Sequence, residues 1–349
     1  MTQIWGAIRW DWNYRGLGND AAATTQELQT LESAYARSRA PLHFQSTGPN
    51  TGIMADTQAT FDAEITAAVS AGLKYWAFLR YSVGAIIANV HGTYGLQYYQ
   101  ASSHNNLINW CSMISPQLFG STGSYGAQIA TIVSEMQQSN YQKVLSNRPL
   151  LYIYWNTAEF ATYWGSSLSN FAAMVTALRA ACISAGMGTP YIVVCNGLDV
   201  SVLNAIGADA ASNYNPVVTY PLQAPFATYD TAVRAYWAAM AALGNPIIPI
   251  ASVGWDTRAR ALRPPTWEPN IYPYFGLNNY VTPPTSTEIT THLAAGVSYI
   301  NANPSICPAA TGLVYAWNEC AECGTPLIPT LGDPTVTRCT AAGAALIGA

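Results

Sequence analysis

Charged residues are scarce in this sequence of 349 residues. Asp, Glu, Lys and Arg together make up 9% of it, and lysine occurs only twice. Nucleic-acid-binding proteins need a basic surface, so a net charge of −4 with scattered arginines argues against that class. The chain also lacks an apolar run of the roughly 18 residues that a membrane-spanning helix needs. We therefore expect neither a nucleic-acid partner nor a membrane span.

The seven cysteines are odd in number and too sparse for a disulfide scaffold. Cys182 and Cys195 fall in apolar helix and strand patterns, which predicts buried thiols. A CxxC pair leaves open a redox site, half of a zinc site or a local disulfide. The irregular spacing favours a disulfide among Cys307, Cys320, Cys323 and Cys339.

Several other site types lack support. The four histidines show no HxxxH or HExxH spacing, and no Gly-x-Ser-x-Gly elbow occurs. We expect no metal and no cofactor. The N-terminus enters a strand pattern without a basic-plus-apolar leader, so either no cleaved signal is used or the leader is missing. An extracellular or virion-associated location is favoured over a cytoplasmic one.

Aromatic residues, in contrast, are abundant. The chain contains 22 tyrosines and 11 tryptophans, and aromatic residues make up 12% of it. Aromatic faces stack on the C–H faces of sugars, so this surplus favours a carbohydrate groove. Most of the rings are nevertheless expected in the core.

Strand-like runs alternate with helix-like runs along the whole chain, which predicts parallel βα units. The predicted strands are Gln3–Arg9, Pro41–Phe44, Tyr75–Arg80, Leu150–Tyr154, Tyr191–Cys195, Ala208–Asn213, Ile247–Val253 and Leu313–Ala316. Eight such units predict a (β/α)8 TIM barrel, with residues 1–349 as a single domain. An open doubly wound sheet is less favoured, because no glycine-rich phosphate turn follows the first strand.

Capping residues and glycines predict the helices between these strands. They are Thr24–Arg39, Thr60–Ala71, Ser169–Ala185, Tyr229–Leu243, Ser286–Asn303 and a closing helix, Thr337–Ile347. Two long irregular stretches, Ser82–Asn105 after the third strand and Asp256–Pro284 after the seventh, are expected to form walls of a binding groove.

In a barrel the carboxyl ends of all strands meet on one face, which is where such folds carry their chemistry. The polar and aromatic residues predicted there are Asp11, Trp12, His43, Arg80, Tyr81, Trp155, Asn156, Asn196, Asn213, Tyr214, Trp255, Asp256, Asn318, Glu319 and Glu322. Amides and acids bind sugar hydroxyls and rings stack on sugars, so the set is typical of a glycosidase.

Glu319 and Glu322 are the strongest catalytic candidates. Only nine glutamates occur in the chain, and these two lie three residues apart at a strand end. Two neighbouring carboxylates repel each other and resist desolvation, a cost that is typical of acid–base sites. His43, as a general base, ranks well below them.

These residues resemble the glycoside hydrolase family 99-like, or WbsX-like, barrels, whose best-known members are endo-α-mannosidases. The family ends its last strand in Asn-Glu-Trp-x-Glu-Gly, and this chain has Asn318-Glu-Cys-Ala-Glu322. The family's Gly-Trp-Asp with a following arginine appears as Gly254-Trp-Asp-Thr-Arg-Ala-Arg260. Cys320 stands where the family has tryptophan, and Ile328 replaces the acid of its Leu-Glu-Pro.

The resemblance implies an endo-acting hydrolase that retains the anomeric configuration and favours α-linkages. It implies that Glu319 deprotonates the sugar 2-hydroxyl and that Glu322 serves as general acid and then base. Tyr14, Trp255 and Asp256 would hold the reacting sugar, Arg258 would assist, and Trp155 and Tyr214 would stack beside it. The expected partner is a polysaccharide or oligosaccharide. A glycosyltransferase of surface-polysaccharide assembly, and a non-catalytic glycan-binding barrel in a virion or cell-surface assembly, remain open.

Overall fold

The computed structural model describes residues 2–11, 29–48, 51–54, 57–80, 93–216, 223–265, 269 and 276–349. Eleven strands occur in this described part of the chain. They are β1 (Ile4–Arg9), β2 (Phe44–Gly48), β3 (Thr51–Met54), β4 (Tyr75–Arg80), β5 (Asn109–Ile114), β6 (Lys143–Val144), β7 (Arg148–Tyr154), β8 (Tyr191–Cys195), β9 (Ala210–Ser212), β10 (Ile250–Ser252) and β11 (Thr311–Tyr315).

Eight of the strands form a parallel barrel in the order β10-β11-β1-β4-β5-β7-β8-β9. Ile247, just before β10, forms a parallel bridge with Ala211 of β9, and this contact closes the ring. The first strand pairs with the last, with Ile4 opposite Thr311. The predicted (β/α)8 barrel is therefore confirmed. Seven of the eight predicted strands occupy the barrel, with ends that shift by up to three residues.

The predicted second strand, Pro41–Phe44, is wrong. β1 pairs directly with β4, with Gly6 opposite Tyr75, so no strand fits between them. Pro41 instead bridges to Thr330, and Phe44 begins the antiparallel hairpin of β2 and β3. The missing barrel strand is β5, which the sequence did not reveal. It pairs with β4 on one side and β7 on the other.

Most of the described helices lie between barrel strands along the chain, and the last two follow β11. They are α1 (Gln58–Ser70), α2 (Thr93–Ala101), α3 (Gly126–Met136), α4 (Thr157–Trp164), α5 (Leu168–Ser184), α6 (Ser201–Ile206), α7 (Phe226–Ala241), α8 (Arg258–Leu262), α9 (Ser286–Ala302), α10 (Cys320–Cys323) and α11 (Thr337–Leu346). Short 3-10 helices cover Arg37–Arg39 and Pro116–Phe119. None of the described helices is long and apolar enough to cross a membrane.

Five of the predicted helices match α1, α5, α7, α9 and α11 to within three residues at each end. The predicted helix Thr24–Arg39 does not continue beyond residue 31, because turns and the short 3-10 helix follow. Both predicted irregular stretches contain helix where they are described, namely α2 and α8. Local capping signals explain the successes. Thr285 and Glu288, for example, form a complete capping box at the start of α9.

A tyrosine ring fills part of the space beside β1. The Tyr75 hydroxyl hydrogen-bonds to Tyr152 at 2.8 Å and donates to the Gly312 carbonyl at 3.2 Å. A Cβ atom at Gly6 would lie 2.3 Å from the Tyr75 ring, so the strand needs glycine at that position. The hydroxyl group of Tyr75 can be fully buried because it forms these hydrogen bonds.

All seven cysteines are free and buried. The predicted disulfide among Cys307, Cys320, Cys323 and Cys339 is therefore not formed. The Cys339 thiol donates to the Leu327 carbonyl at 3.0 Å instead. Cys182 and Cys195 are buried thiols, as predicted.

Candidate active site

A cavity of about 750 Å³ lies at the carboxyl ends of the barrel strands. Most of its lining residues follow six of these strands, β1, β7, β8, β9, β10 and β11, and the lining combines rings, amides and carboxylates. The volume falls in the usual range for small-molecule and oligosaccharide sites. This face is also where TIM barrels carry their catalytic residues.

Glu319 and Glu322 lie in this wall, at the start and in the body of α10. A spacing of three residues places two side chains on the same face of a helical turn. Cys320 and Cys323 have the same spacing and are buried in the core. The CxxC spacing is therefore the core-facing stripe of a one-turn helix. Gly324 ends the turn at φ 77°, and a Cβ atom there would lie 2.8 Å from Asp256 Cβ.

One buried arginine bridges the two carboxylates. Arg260 Nη1 lies 3.3 Å from Glu322 Oε1, and Arg260 Nη2 lies 3.6 Å from Glu319 Oε2. The Trp10 ring lies 5.2 Å from the centre of the same guanidinium. A cation between two buried acids offsets their mutual repulsion and part of their desolvation cost. Both glutamates can therefore occupy one face of a largely buried site.

Each glutamate also accepts a hydrogen bond from a tyrosine. Tyr214 Oη donates to Glu319 Oε1, and Tyr315 Oη donates to Glu322 Oε2 at 2.8 Å. Burial, followed by the charges of the two glutamates, raises the pKa of both tyrosines well above the ordinary value. The tyrosines therefore stay protonated as donors. The ring of Tyr214 packs edge-on against that of Tyr315 at 5.4 Å.

Asn318 fixes the start of this turn against the first strand. Trp10 N–H donates to Asn318 Oδ1 at 2.8 Å, and Asn318 Nδ2 donates to the Trp10 carbonyl at 2.8 Å. Asn318 is fully buried. It therefore joins the ends of β1 and β11 and does not line the cavity.

Comparison with solved structures supports the barrel. A glycoside hydrolase-like protein aligns with a TM-score of 0.57 at 14% identity, over 94% of this chain and 87% of that one. The GH99 endo-α-mannosidase from Bacteroides thetaiotaomicron aligns with a TM-score of 0.58 at 11% identity, over 98% and 96%. Its complex with bis-tris-propane gives 0.58 at 12% identity, over 97% and 95%.

This is the fold of the GH99 barrel. The resemblance drawn from the sequence motifs is thus confirmed at the level of fold. No protein-family model matches the sequence, and no curated protein matches it either.

Among the described residues of the barrel, eight of the predicted site residues line the cavity. They are Trp155, Asn156, Asn196, Asn213, Tyr214, Trp255, Glu319 and Glu322. All of them lie at the end of a correctly predicted strand or in the segment that follows it, so their convergence is the expected result of barrel closure.

Two predicted site residues near the first strands lie behind the wall. Asp11 is buried, with Oδ1 2.7 Å from Arg9 Nε, and burial raises its pKa to about 6 although Arg9 opposes the shift. His43 does not lie at a barrel strand end, because the predicted second strand is absent. Its Nδ1 lies 4.0 Å from Glu64 Oε1, and burial lowers its pKa despite that charge.

Three other predicted binding residues serve ion pairs outside the cavity lining. Arg80 donates to both Glu135 oxygens, at 2.8 and 2.7 Å. Arg258 donates to both oxygens of Asp256, at 2.9 and 2.6 Å. Burial alone would raise the pKa of Asp256, but Arg258 and Arg39 outweigh it, and the net pKa is lowered. Both oxygens of each acid accept hydrogen bonds from its arginine. Neither Arg80 nor Arg258 is among the residues that line the cavity.

The predicted residues Trp12, Tyr14 and Tyr81 lie outside the described residues. The cavity also contains residues that the sequence analysis missed, of which Arg260, Trp10 and Glu159 matter most. Arg260 stands in the quoted Gly-Trp-Asp motif, two residues after Arg258. Residues two apart on a helix point to different faces. If this segment had been predicted as a helix, Arg258 and Arg260 would have been expected to point in different directions, and Arg260 could have been identified as a separate candidate.

Proposed function

We propose that the protein is a glycoside hydrolase and that Glu319 and Glu322 carry the reaction. The observation that carries this proposal is the pair itself. Two carboxylates on one face of a turn share Arg260, accept tyrosine hydroxyls and line a cavity at the carboxyl end of a barrel. Acid–base cleavage of a glycosidic bond needs two such groups.

The cavity wall suits a carbohydrate. Trp155 and Trp255 supply rings, and Asn156, Asn196 and Asn213 supply amides that can exchange hydrogen bonds with hydroxyls. Sugar sites combine apolar faces with a few placed polar groups in this way. The likeness of fold to a GH99 endo-α-mannosidase points in the same direction.

We propose that cleavage proceeds through the sugar's own 2-hydroxyl. Glu319 takes the proton from that hydroxyl, and O2 attacks the anomeric carbon. The bond to the leaving oxygen breaks, and this oxygen takes the proton of Glu322. Such substrate-assisted routes form an alternative to an enzyme nucleophile.

The second half of the reaction restores both acids. Glu322 takes a proton from water, whose oxygen attacks the anomeric carbon and breaks the bond from that carbon to O2. O2 then recovers its proton from Glu319. Tyr214 and Arg260 orient Glu319, and Tyr315 orients Glu322. The product keeps the anomeric configuration, and an α-linked, internal bond is the proposed target.

The test is a panel of polysaccharides assayed for new reducing ends. We expect Glu319→Gln and Glu322→Gln each to lower the rate by at least about a thousandfold, because each removes one proton-transfer group. Proton NMR of the first product formed should show retained configuration. Glu288→Gln is the matched control, since a capping box accepts glutamine at this position.

Two results would reject the proposal. The first is full activity of both variants with unchanged folding by circular dichroism. The second is wild-type binding of glycans without any release of reducing ends, which would favour the glycan-binding barrel.

A further inference from the structure

Among the described residues, four formally charged side chains line the cavity, and three of them are acids. They are Glu159, Glu319, Glu322 and Arg260. If all are ionised, three negative charges face one positive charge. With Glu322 protonated for its role as acid, two carboxylates still face one guanidinium. The wall therefore carries an excess of negative charge in either state.

Glu159 faces the catalytic pair from the opposite side of the barrel. Glu319 and Glu322 follow β11, whereas Glu159 belongs to α4, which follows β7. In the ring order, β7 is four places from β11 in a circle of eight. The charge of Glu159 therefore acts on a part of the substrate that is distant from the bond being cleaved.

The partners of Glu159 are neutral. Its Oε1 accepts from Asn156 Nδ2 at 3.2 Å, and its Oε2 accepts from the Gln117 N–H at 3.3 Å. Among the described residues, no Lys, Arg or His forms an ion pair with it. The carboxylate is half-buried, so water screens it only partly. An anionic group brought beside it meets repulsion that no nearby cation offsets.

The rest of the chain holds little positive charge to reverse this balance. The ranges outside the described residues contain one arginine, Arg15, and no lysine. The same ranges contain four acids, Asp20, Glu27, Asp56 and Glu268.

We propose that Glu159 is a specificity-determining residue that restricts the cavity to uncharged or amino-bearing sugars. Glycans with uronic acid, sulfate or phosphate groups at this end of the cavity are excluded by charge repulsion. The inference rests on the proposed hydrolase function, because it concerns the substrate of the same cavity.

The experiment uses one glycan in two charge states. A neutral polysaccharide that the wild type cleaves is oxidised at its primary hydroxyls, which converts them to carboxylates and leaves backbone and linkage unchanged. We expect kcat/KM to be at least about tenfold lower for the oxidised form at low salt, the equivalent of about 1.4 kcal/mol of repulsion. The gap should shrink in about 0.5 M NaCl, because salt screens exposed charge.

Glu159→Gln separates charge from structure. Asn156 caps α4 and its side chain also bonds Glu159, and glutamine preserves this arrangement. We expect the ratio of kcat/KM for the oxidised form to kcat/KM for the neutral form to be about tenfold higher in this variant than in the wild type. Glu288→Gln, the same change in an exposed capping box, should leave the ratio unaltered.

Three outcomes decide the matter. Equal or faster wild-type cleavage of the oxidised form overturns the proposal, as does an unchanged ratio in Glu159→Gln. If the wild type cleaves no glycan, the hydrolase function fails instead. The charge preference is then decided by calorimetric binding of a neutral oligosaccharide and its oxidised form, and equal affinity would reject it.

Discussion

Asn318 and Trp10 bind each other through both a donor and an acceptor, although 308 positions separate them in the sequence. Trp10 N–H and the Trp10 carbonyl each pair with the Asn318 side chain at 2.8 Å. The residue after Asn318 is Glu319, and the Trp10 ring lies beside the Arg260 guanidinium. A single buried amide thus sets the relative position of two parts of the site.

We expect Asn318→Ala to lower the free energy of unfolding by about 2–4 kcal/mol, because two buried backbone groups lose their partner. Urea denaturation measures this change. Asn245→Ala is the control, since its hydrogen bond to Asn204 is exposed and its loss should cost less than about 0.5 kcal/mol. Equal losses in the two variants would contradict the role given to Asn318.

Arg260→Met should lower kcat by at least about a hundredfold, because the two carboxylates lose the cation that they share. Arg260→Lys should recover only part of the rate, since one ammonium does not span both acids as a planar guanidinium does. Initial rates on the cleaved glycan measure both. Arg234→Met is the control, because Arg234 pairs with Asp230 on the outer surface of α7. If Arg260→Met cleaved the glycan at the wild-type rate, Arg260 would have no role in the reaction.

Asp11 should make stability depend on pH. Its pKa is about 6 in the folded protein against an ordinary value of 3.8, because burial disfavours the charge. The folded state therefore holds this proton more tightly than the unfolded chain. The stabilisation is fully present below pH 3.8 and is lost as the pH rises through 6.

We expect the stability of the wild type, relative to Asp11→Asn, to fall by about 3 kcal/mol between pH 3.5 and pH 7. Urea unfolding at several pH values gives the difference. Asp199→Asn provides the contrast, because hydrogen bonds from Ser201 lower the pKa of Asp199, so its contribution is lost as the pH falls. A difference that grows with pH for Asp11 would contradict the burial argument.

The cysteines should be unreactive in the native protein. All seven are free and buried, and burial raises the pKa of Cys323 and Cys339 to about 12. The thiolate is the reactive form, so a thiol reagent should react slowly or not at all before unfolding. In denaturant without reductant, seven thiols should react. Five would mean that one disulfide exists.

Much of the fold follows from the sequence because hydrophobic runs and helix caps are local signals. β5 was missed for a physical reason. Asn109 and Ser112 interrupt its apolar pattern, and Ser112 is buried because it contacts Arg80 and Glu135. These partners, 32 and 23 positions away, compensate for a polar residue in the core, and no local pattern reveals them.

The site was predictable in position but not in orientation. Barrel closure brings the strand ends together, so Trp155, Asn213 and Glu319 converge as expected. Whether a polar side chain enters the cavity depends on competing partners behind it. Asp256 turns away because Arg39 and Arg258 hold it. The orientation of such a side chain depends on tertiary contacts, which sequence motifs and hydrophobic periodicity do not reveal.

The short helix α8 connects the ion pairs around Asp256 to the two glutamates of the cavity. Arg258, on one side of this five-residue helix, is held by Asp256, while Arg260, on the other side, reaches Glu319 and Glu322. The Asp256 N–H in turn donates to the Glu322 carbonyl at 2.7 Å. Asp256 is thus joined both to Arg39 and Tyr35 and to the backbone of the turn that carries Glu322, so we expect substitutions at Arg39 or Tyr35 to alter the position of the two glutamates.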